Sequence, residues 1–269
     1  MRNSLFFILI LIFSYSCKKD EGIQINKSGH FLSKIISNNR VEEAYNYDES
    51  GNLVGIDLFS PINGFSKPYK LEFEYYSNGL IQKWTRIDTS GQTVMYELFE
   101  YNNLNKVIKR TNYYLNKINS KFEANVSATF DYSDNKIVIQ NYNYGMKSPV
   151  NFELELDQFK NNITVIRSYI NKSLTNISLF AYDDKINPYN DLKLPLPFNQ
   201  HNFIPSAAYF SKNNVIRESS ILIKPDSAII DTVFSSCYNL HYQYDELGYP
   251  IKIIIGENNN INFEYIDIK

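Results

Sequence analysis

Three histidines and two cysteines are the residues of this 269-residue chain best suited to metal or nucleophilic chemistry. His30, His201 and His241 lie far apart, with no His-x-His or His-Glu-x-x-His spacing. A metal site needs three or four converging ligands, and Cys17 and Cys237 are the only thiols. The expectation is no metal and no cofactor. Asp183 and Asp184 are adjacent, and adjacent side chains of an extended chain point apart. They read as loop and turn residues rather than as an acid–base pair. "DYSDNK" (131–136) has oxygen ligands at alternate positions but lacks the later Gly and bidentate Glu of a calcium loop, so it reads as a hairpin turn. No Gly-x-Ser-x-Gly elbow and no Gly-rich phosphate loop occurs. The chain therefore reads as a non-enzyme.

What remains for function is aromatic. Tyr, Phe and Trp make up 15 % of the chain, as 22 Tyr, 18 Phe and one Trp. Trp84, Tyr113, Tyr114, Tyr142, Tyr144 and Tyr169 fall in expected strands, some of which must turn them to a concave side. Such rings stack on sugars or pack on acyl chains. The competing role is structural, with the same rings filling the core of a curved sheet. The charge balance, 27 Lys and Arg against 29 Asp and Glu, leaves no basic excess for phosphate backbones. Nucleic acid is excluded as a partner on that ground.

Cys17 has chemistry of a different kind. It follows Arg2, the nine-residue apolar run "LFFILILIF" (5–13) and Ser14, Tyr15 and Ser16. This is the layout of a secretory signal, and the run falls well short of the roughly 20 residues of a membrane-spanning helix. The position of Cys17 resembles the lipidated cysteine of bacterial lipoprotein signals, although Ser14 stands where Leu is usual. The resemblance implies a signal peptide over 1–16, a lipidated Cys17 opening a flexible tether over 17–29, and a membrane reached through that lipid. A Cys17–Cys237 disulfide would close nearly the whole chain from a flexible leader. Cys237 is instead expected to be free and buried, behaving as a small apolar residue.

The elements that must position all these residues are β-hairpins. One pattern recurs: an alternating strand ending in aromatics, a short polar turn, and a second apolar strand. It is seen in "EEAYNYDESGNLVGIDLF" (42–59), "KLEFEYYSNGLIQKWTRI" (70–87), "MYELFEYNNLNKVIKRTNYY" (95–114), "SATFDYSDNKIVIQNYNY" (127–144) and "NLHYQYDELGYPIKIII" (239–255). A tyrosine precedes each turn: Tyr47, Tyr75, Tyr101, Tyr132 and Tyr244. The first four are spaced 28, 26 and 31 residues apart, an internal repeat. Gly51, Gly79 and Gly248 supply positive φ within the turns. The flanks alternate with period two: Phe152, Leu154 and Leu156 oppose Glu153, Glu155 and Asp157, and Leu71, Phe73 and Tyr75 oppose Glu72 and Glu74. One face is apolar and the other solvated, as in antiparallel sheet.

The expected fold is therefore all-β: a single domain over 30–269, a curved antiparallel meander of repeated hairpins forming a barrel or an open half-barrel. The strand count should be on the order of 14 to 18. Between about 182 and 210, Pro188, Pro195, Pro197 and Pro205 interrupt the pattern. Proline cannot donate to a ladder, so this stretch is expected to be a loop crossing an open end of the sheet, with at most a short helix near 188–194.

"YDDKINPYNDL" (182–192) and "YQYDELGYPIKI" (242–253) resemble paired landmarks of an uncharacterised Bacteroidetes lipoprotein family, a domain of unknown function with a porin-like β-fold. The hairpins resemble, more loosely, the YD repeats of RHS proteins. The resemblance covers about residues 30–269 and implies a curved antiparallel meander on a lipid anchor. It carries over no catalytic residue. Three roles follow as expectations. The first is a lipid-anchored outer-membrane protein, periplasmic or surface-exposed, acting as a non-catalytic binding or scaffold module with a protein, glycan or lipid ligand. The second is a carrier of an amphiphile or glycan in the concave face. The third is a hydrolase of cell-surface polymers with paired carboxylates. Charged faces at Glu72, Glu74, Glu153 and Glu155 argue against a true membrane barrel.

Overall fold

The computed structural model describes residues 29–59, 68–143, 150–195, 207–223, 232–255 and 259–268. Cys17, Tyr144, His201, Pro197 and Pro205 lie outside the described residues, as do the expected signal peptide and nearly all of the tether. The described part is almost entirely strand. The first hairpins are β1 (Gly29–Ser37), β2 (Arg40–Tyr47), β3 (Leu53–Leu58), β4 (Tyr69–Tyr75), β5 (Ile81–Asp88) and β6 (Thr93–Tyr101). Then come β7 (Val107–Asn116), β8 (Lys121–Ser133), β9 (Lys136–Asn143), β10 (Val150–Leu156), β11 (Ile163–Ile170) and β12 (Ser173–Ile186). A 3₁₀ turn (Asn190–Leu192) and helix α1 (Ala207–Phe210) precede β13 (Asn213–Ile223), β14 (Thr232–Asn239), β15 (His241–Tyr244), β16 (Pro250–Ile255) and β17 (Asn259–Ile268).

Each strand pairs antiparallel with its sequence neighbour from β1 through β14 and again from β15 through β17. Between β14 and β15, the Leu240 N–H donates to the Ile216 carbonyl on β13 at 2.8 Å, so the two run on as one interrupted strand. β17 then pairs with β1 from Gly29↔Ile268 to Ser37↔Ile261. This last ladder brings the sheet round into a nearly closed barrel, covering the β1 and β17 edges an open meander would expose, while β14 has a ladder on one side only among the described residues.

The turns repeat one construction. In the β2–β3 turn, Asp48 Oδ1 accepts the Ser50 and Asn52 N–H groups at 2.9 and 2.8 Å. Gly51 there has φ 75°, the left-handed position of a type I turn with a bulge. Asp88 with Gly91, Asn102 with Asn105, Asp157 with Lys160 and Asp245 with Gly248 repeat the scheme.

The repeated tyrosine also has a physical role. At Tyr47, Tyr75 and Tyr101 its hydroxyl donates to a backbone carbonyl on the adjacent, preceding strand, whereas Tyr244 donates to Asp183; Tyr182, Tyr242 and Tyr265, outside the repeat, make the same backbone bond. Tyr47 reaches Leu32 at 2.7 Å, Tyr101 reaches Ile81 at 2.8 Å and Tyr265 reaches Pro250 at 2.7 Å. Tyr75, Tyr182 and Tyr242 do the same to Leu53, Ile163 and Val215. Burial raises the pKa of each of these hydroxyls, keeping them as donors. Removing one hydroxyl leaves a carbonyl without its partner. Tyr101→Phe should cost about 1 kcal/mol, read as a lower urea midpoint at unchanged slope. An unshifted midpoint would remove the tyrosine hydroxyl from the account of the repeat.

Inward faces carry the core, with Phe99, Leu154 and Ile139 at 1 %, 0 % and 0 % exposure. Outward faces carry ion pairs between facing residues, among them Lys83–Glu74 and Lys109–Glu100 at 2.6 and 2.8 Å. Such exposed pairs contribute little stability individually. On the same outer wall these charges stand beside exposed apolar side chains such as Ile108, Leu179 and Ile251.

The described part of the stretch 182–210 runs over one end of the sheet, as expected, and also sends side chains inside. Tyr182–Ile186 extend β12, and Asp191, Leu192 and Lys193 reach the β2–β3 and β4–β5 turns at that end. Leu192, Leu194 and Ala207 belong to the core. The Tyr189 ring lies 4.6 Å from that of Tyr209 and 6.5 Å from that of Phe263 on β17. A barrel of this many strands has more interior than its own wall side chains can fill. A proline-broken segment that cannot join a ladder supplies the missing apolar volume as a plug. Asn187, 2 % exposed, fastens it: its side-chain Nδ2 donates to the carbonyls of Ala208 and Ser211 at 2.5 and 2.7 Å. One expectation is corrected: Cys237, expected to be buried, is exposed. It stands opposite Ser219, and the Arg217 Nε–H donates to its sulfur at 3.3 Å. Bonds from Ser219 and Arg217 pull this thiol below its ordinary pKa.

Candidate functional site

The inward positions of β4–β7 form a buried polar cluster. Register places Trp84 opposite Glu97, and Glu97 opposite Asn112. Glu97 is 2 % exposed and accepts from Trp84 Nε1 at 2.8 Å and from Arg110 Nη1 at 3.2 Å. Burial lifts its pKa above the ordinary value, while Arg110 and Trp84 pull it back. The Arg86 guanidinium sits 3.9 Å from the Tyr69 ring centroid, and burial lowers its pKa. Nearby, the Tyr45 hydroxyl donates to Glu43 at 2.5 Å. Asn112, wholly buried, has no hydrogen-bond partner for either atom of its amide among the described residues. Both buried carboxylates are thus engaged by structural donors, an arrangement that holds charge and fixes register.

The aromatic residues expected to bind ligand are divided between the two faces of the wall. Trp84 and Tyr114 face inward. Trp84 is 5 % exposed and holds Glu97; Tyr114 lies near Arg86, Glu97 and Arg110. Tyr113 alternates outward, its ring stacked 4.7 Å from Tyr96 at 15°. Tyr142 is 51 % exposed on β9 and donates to Gln140. Tyr169 on β11 lies beside the outward Glu153 and Arg167. The structure does not gather these five onto one surface.

The two landmark stretches do meet. The Tyr244 hydroxyl donates to the Asp183 carboxylate, which also accepts from the Asn214 N–H at 3.1 Å. Tyr182 and Asn187 of the same landmark hold β11 and the plug. Asp184 points away, its side chain 86 % exposed. The pair expected to be turn residues thus divides, with Asp183 tying β12 to β13 through Asn214 and to β15 through Tyr244. Among the described residues, no group of three or more His, Cys, Asp and Glu side chains is placed to hold a metal ion.

At the turn end of the barrel lies a cleft of about 380 Å³ that sequence reasoning missed. The turns after β6, β8 and β10 form its walls, and Phe210 of α1 reaches in from the plug. Its floor includes Ile137 and Ile163, 4 % and 1 % exposed. Lys106, Lys136 and Lys160 line it with Tyr132 and Asp134. Lys106 Nζ is 4.9 Å from the Tyr132 ring centroid, a cation–π contact. Lys136 reaches Glu153 at 2.8 Å. The signal was present in the sequence as a lysine closing three successive turns, "NNLNK", "SDNK" and "DQFK".

No protein-family model and no curated protein matches the chain. Among solved structures it is similar to a porin-like protein from Bacteroides uniformis, at 15 % identity and a TM-score of 0.37, over 87 % of this chain and 98 % of that one. A DUF3836 family protein from Bacteroides vulgatus is 18 % identical with a TM-score of 0.27, over 29 % of this chain and 81 % of that one. A protein with unknown function from Bacteroides fragilis is 9 % identical with a TM-score of 0.22, over 74 % and 94 %.

Proposed function

We propose that the chain is a non-catalytic binding or scaffold module held at the cell envelope by lipid on Cys17, with its recognition surfaces outside a filled barrel. The observation that carries this reading is the plug. Tyr189, Leu192, Leu194 and Ala207 occupy interior volume that a carrier of the concave-face type would keep for its ligand. Glu43 and Glu97, buried and bonded to Tyr45, Trp84 and Arg110, are placed for structure rather than for polymer hydrolysis. The ion pairs of the outer wall suit a barrel standing in water beside a membrane, tethered through residues 17–29.

Two measurements test the reading. Cells fed labelled palmitate should incorporate it into the wild-type protein, and Cys17→Ser should abolish both the label and membrane fractionation. Label retained in the variant would overturn the anchor. Native mass spectrometry of the purified chain should show no stoichiometric apolar guest released on unfolding. A guest at one per chain would overturn the filled-barrel role and favour the carrier.

A further inference from the structure

We propose that the cleft at the turn end of the barrel binds a small anionic amphiphile, with a carboxylate or phosphate head and a short apolar body. The cleft combines two chemistries. Its floor is apolar, built from Ile137, Leu156, Ile163 and the ring of Phe210. Its rim carries three lysines against the single carboxylate of Asp134. Its volume, about 380 Å³, lies in the range of small-molecule sites.

Pairing sharpens the charge argument. Along the outer wall, Lys34, Lys70, Lys83, Lys109 and Lys136 each meet a glutamate within ion-pair distance. Lys106 and Lys160 meet none among the described residues, although both line the cleft. Lys106 leans instead on Tyr132, which keeps its ammonium at the mouth. An ammonium over a partly desolvated apolar floor attracts an anion more strongly than one in open water. The head of the ligand would sit between Lys106 and Lys160, with its body on Leu156 and Phe210, the part-exposed apolar groups of the lining, over the buried Ile137 and Ile163. A neutral amphiphile would gain the floor and forgo the rim.

This site extends the reading above, that recognition lies outside the filled interior, and fails separately from it, because anchoring and an occupied barrel do not require the cleft to bind. The test is calorimetric titration of the purified protein at low salt with octanoate, octyl phosphate and neutral octyl glucoside, each below its micelle concentration. At least one anion should bind with a stoichiometry of one and weaken as salt is added. Octyl glucoside should bind at least tenfold more weakly. The double variant Lys106→Gln/Lys160→Gln should lose about tenfold or more in affinity, the scale of one or two charge-assisted contacts. Its thermal melt should be unchanged, since both side chains lie on exposed turns. Binding of octyl phosphate alone assigns a phosphate head; binding of both anions assigns any anionic head. The proposal is overturned if neither anion binds, if octyl glucoside binds as tightly, or if the double variant binds as well as the wild type.

Discussion

Arg110→Met should destabilise the barrel by about 3–5 kcal/mol, the cost of leaving a buried charge without its counter-ion. Arg110 and Glu97 are 3 % and 2 % exposed and meet at 3.2 Å. Methionine matches the volume of the arginine stem, so the loss would come from Glu97 rather than from a cavity. The pH dependence identifies the cause. Burial raises the Glu97 pKa in the folded state above its ordinary value near 4.5. The folded chain therefore holds this proton more tightly than the unfolded chain. That contribution is full below about 4.5 and is lost as pH rises through the folded value. Without Arg110, which pulls the pKa down, the folded value rises further. The variant's deficit should then grow with pH across that window and shrink on acidification. Urea unfolding at pH 5 and pH 8 reads both effects. The double variant Glu97→Leu/Arg110→Met should recover most of the loss, because replacing both partners removes the stranded charge. A single variant within 1 kcal/mol of wild type at pH 8 would show that water reaches the pair.

Tyr189→Ala should cost about 3 kcal/mol or more, as for other aromatic truncations in a core. Its ring touches Tyr209 and Phe263, so the substitution empties space between plug and wall. The void should bind a small apolar probe such as benzene, which raises the melting temperature of the variant alone. Asp184→Ala, on a side chain 86 % exposed, should leave stability within about 0.5 kcal/mol. If Tyr189→Ala melts like wild type and ignores benzene, the plug does not fill the barrel.

Much of the wall was legible in the chain. The quoted hairpins 42–59, 70–87 and 95–114 coincide with β2–β3, β4–β5 and β6–β7 to within two residues at almost every end. Their signals are local: alternation with period two, an Asp or Asn opening the turn, and a residue tolerant of positive φ closing it. The tyrosine before each turn was visible as a period, whereas its carbonyl partner on the preceding strand, 15 to 22 residues back for Tyr47, Tyr75 and Tyr101, was not. The lysines of the cleft were visible one by one. Nothing local says that the turns of β6, β8 and β10 come together around Phe210.

The amino-acid sequence by itself determined the class of element, the inward and outward residue of most strands, and the charged positions of the outer wall, because each depends on neighbours within about ten positions. Three features were decided only by the tertiary structure. Closure rests on β1 meeting β17, a pairing between residues some 230 positions apart, Gly29↔Ile268 to Ser37↔Ile261. The plug follows from closure, since only a closed wall creates an interior that its own side chains leave unfilled. The division of Trp84 and Tyr114 from Tyr113, Tyr142 and Tyr169 follows from register. Period two turns adjacent residues such as Tyr113 and Tyr114 to opposite faces, and where both neighbours are aromatic the alternation alone does not mark which one is inside.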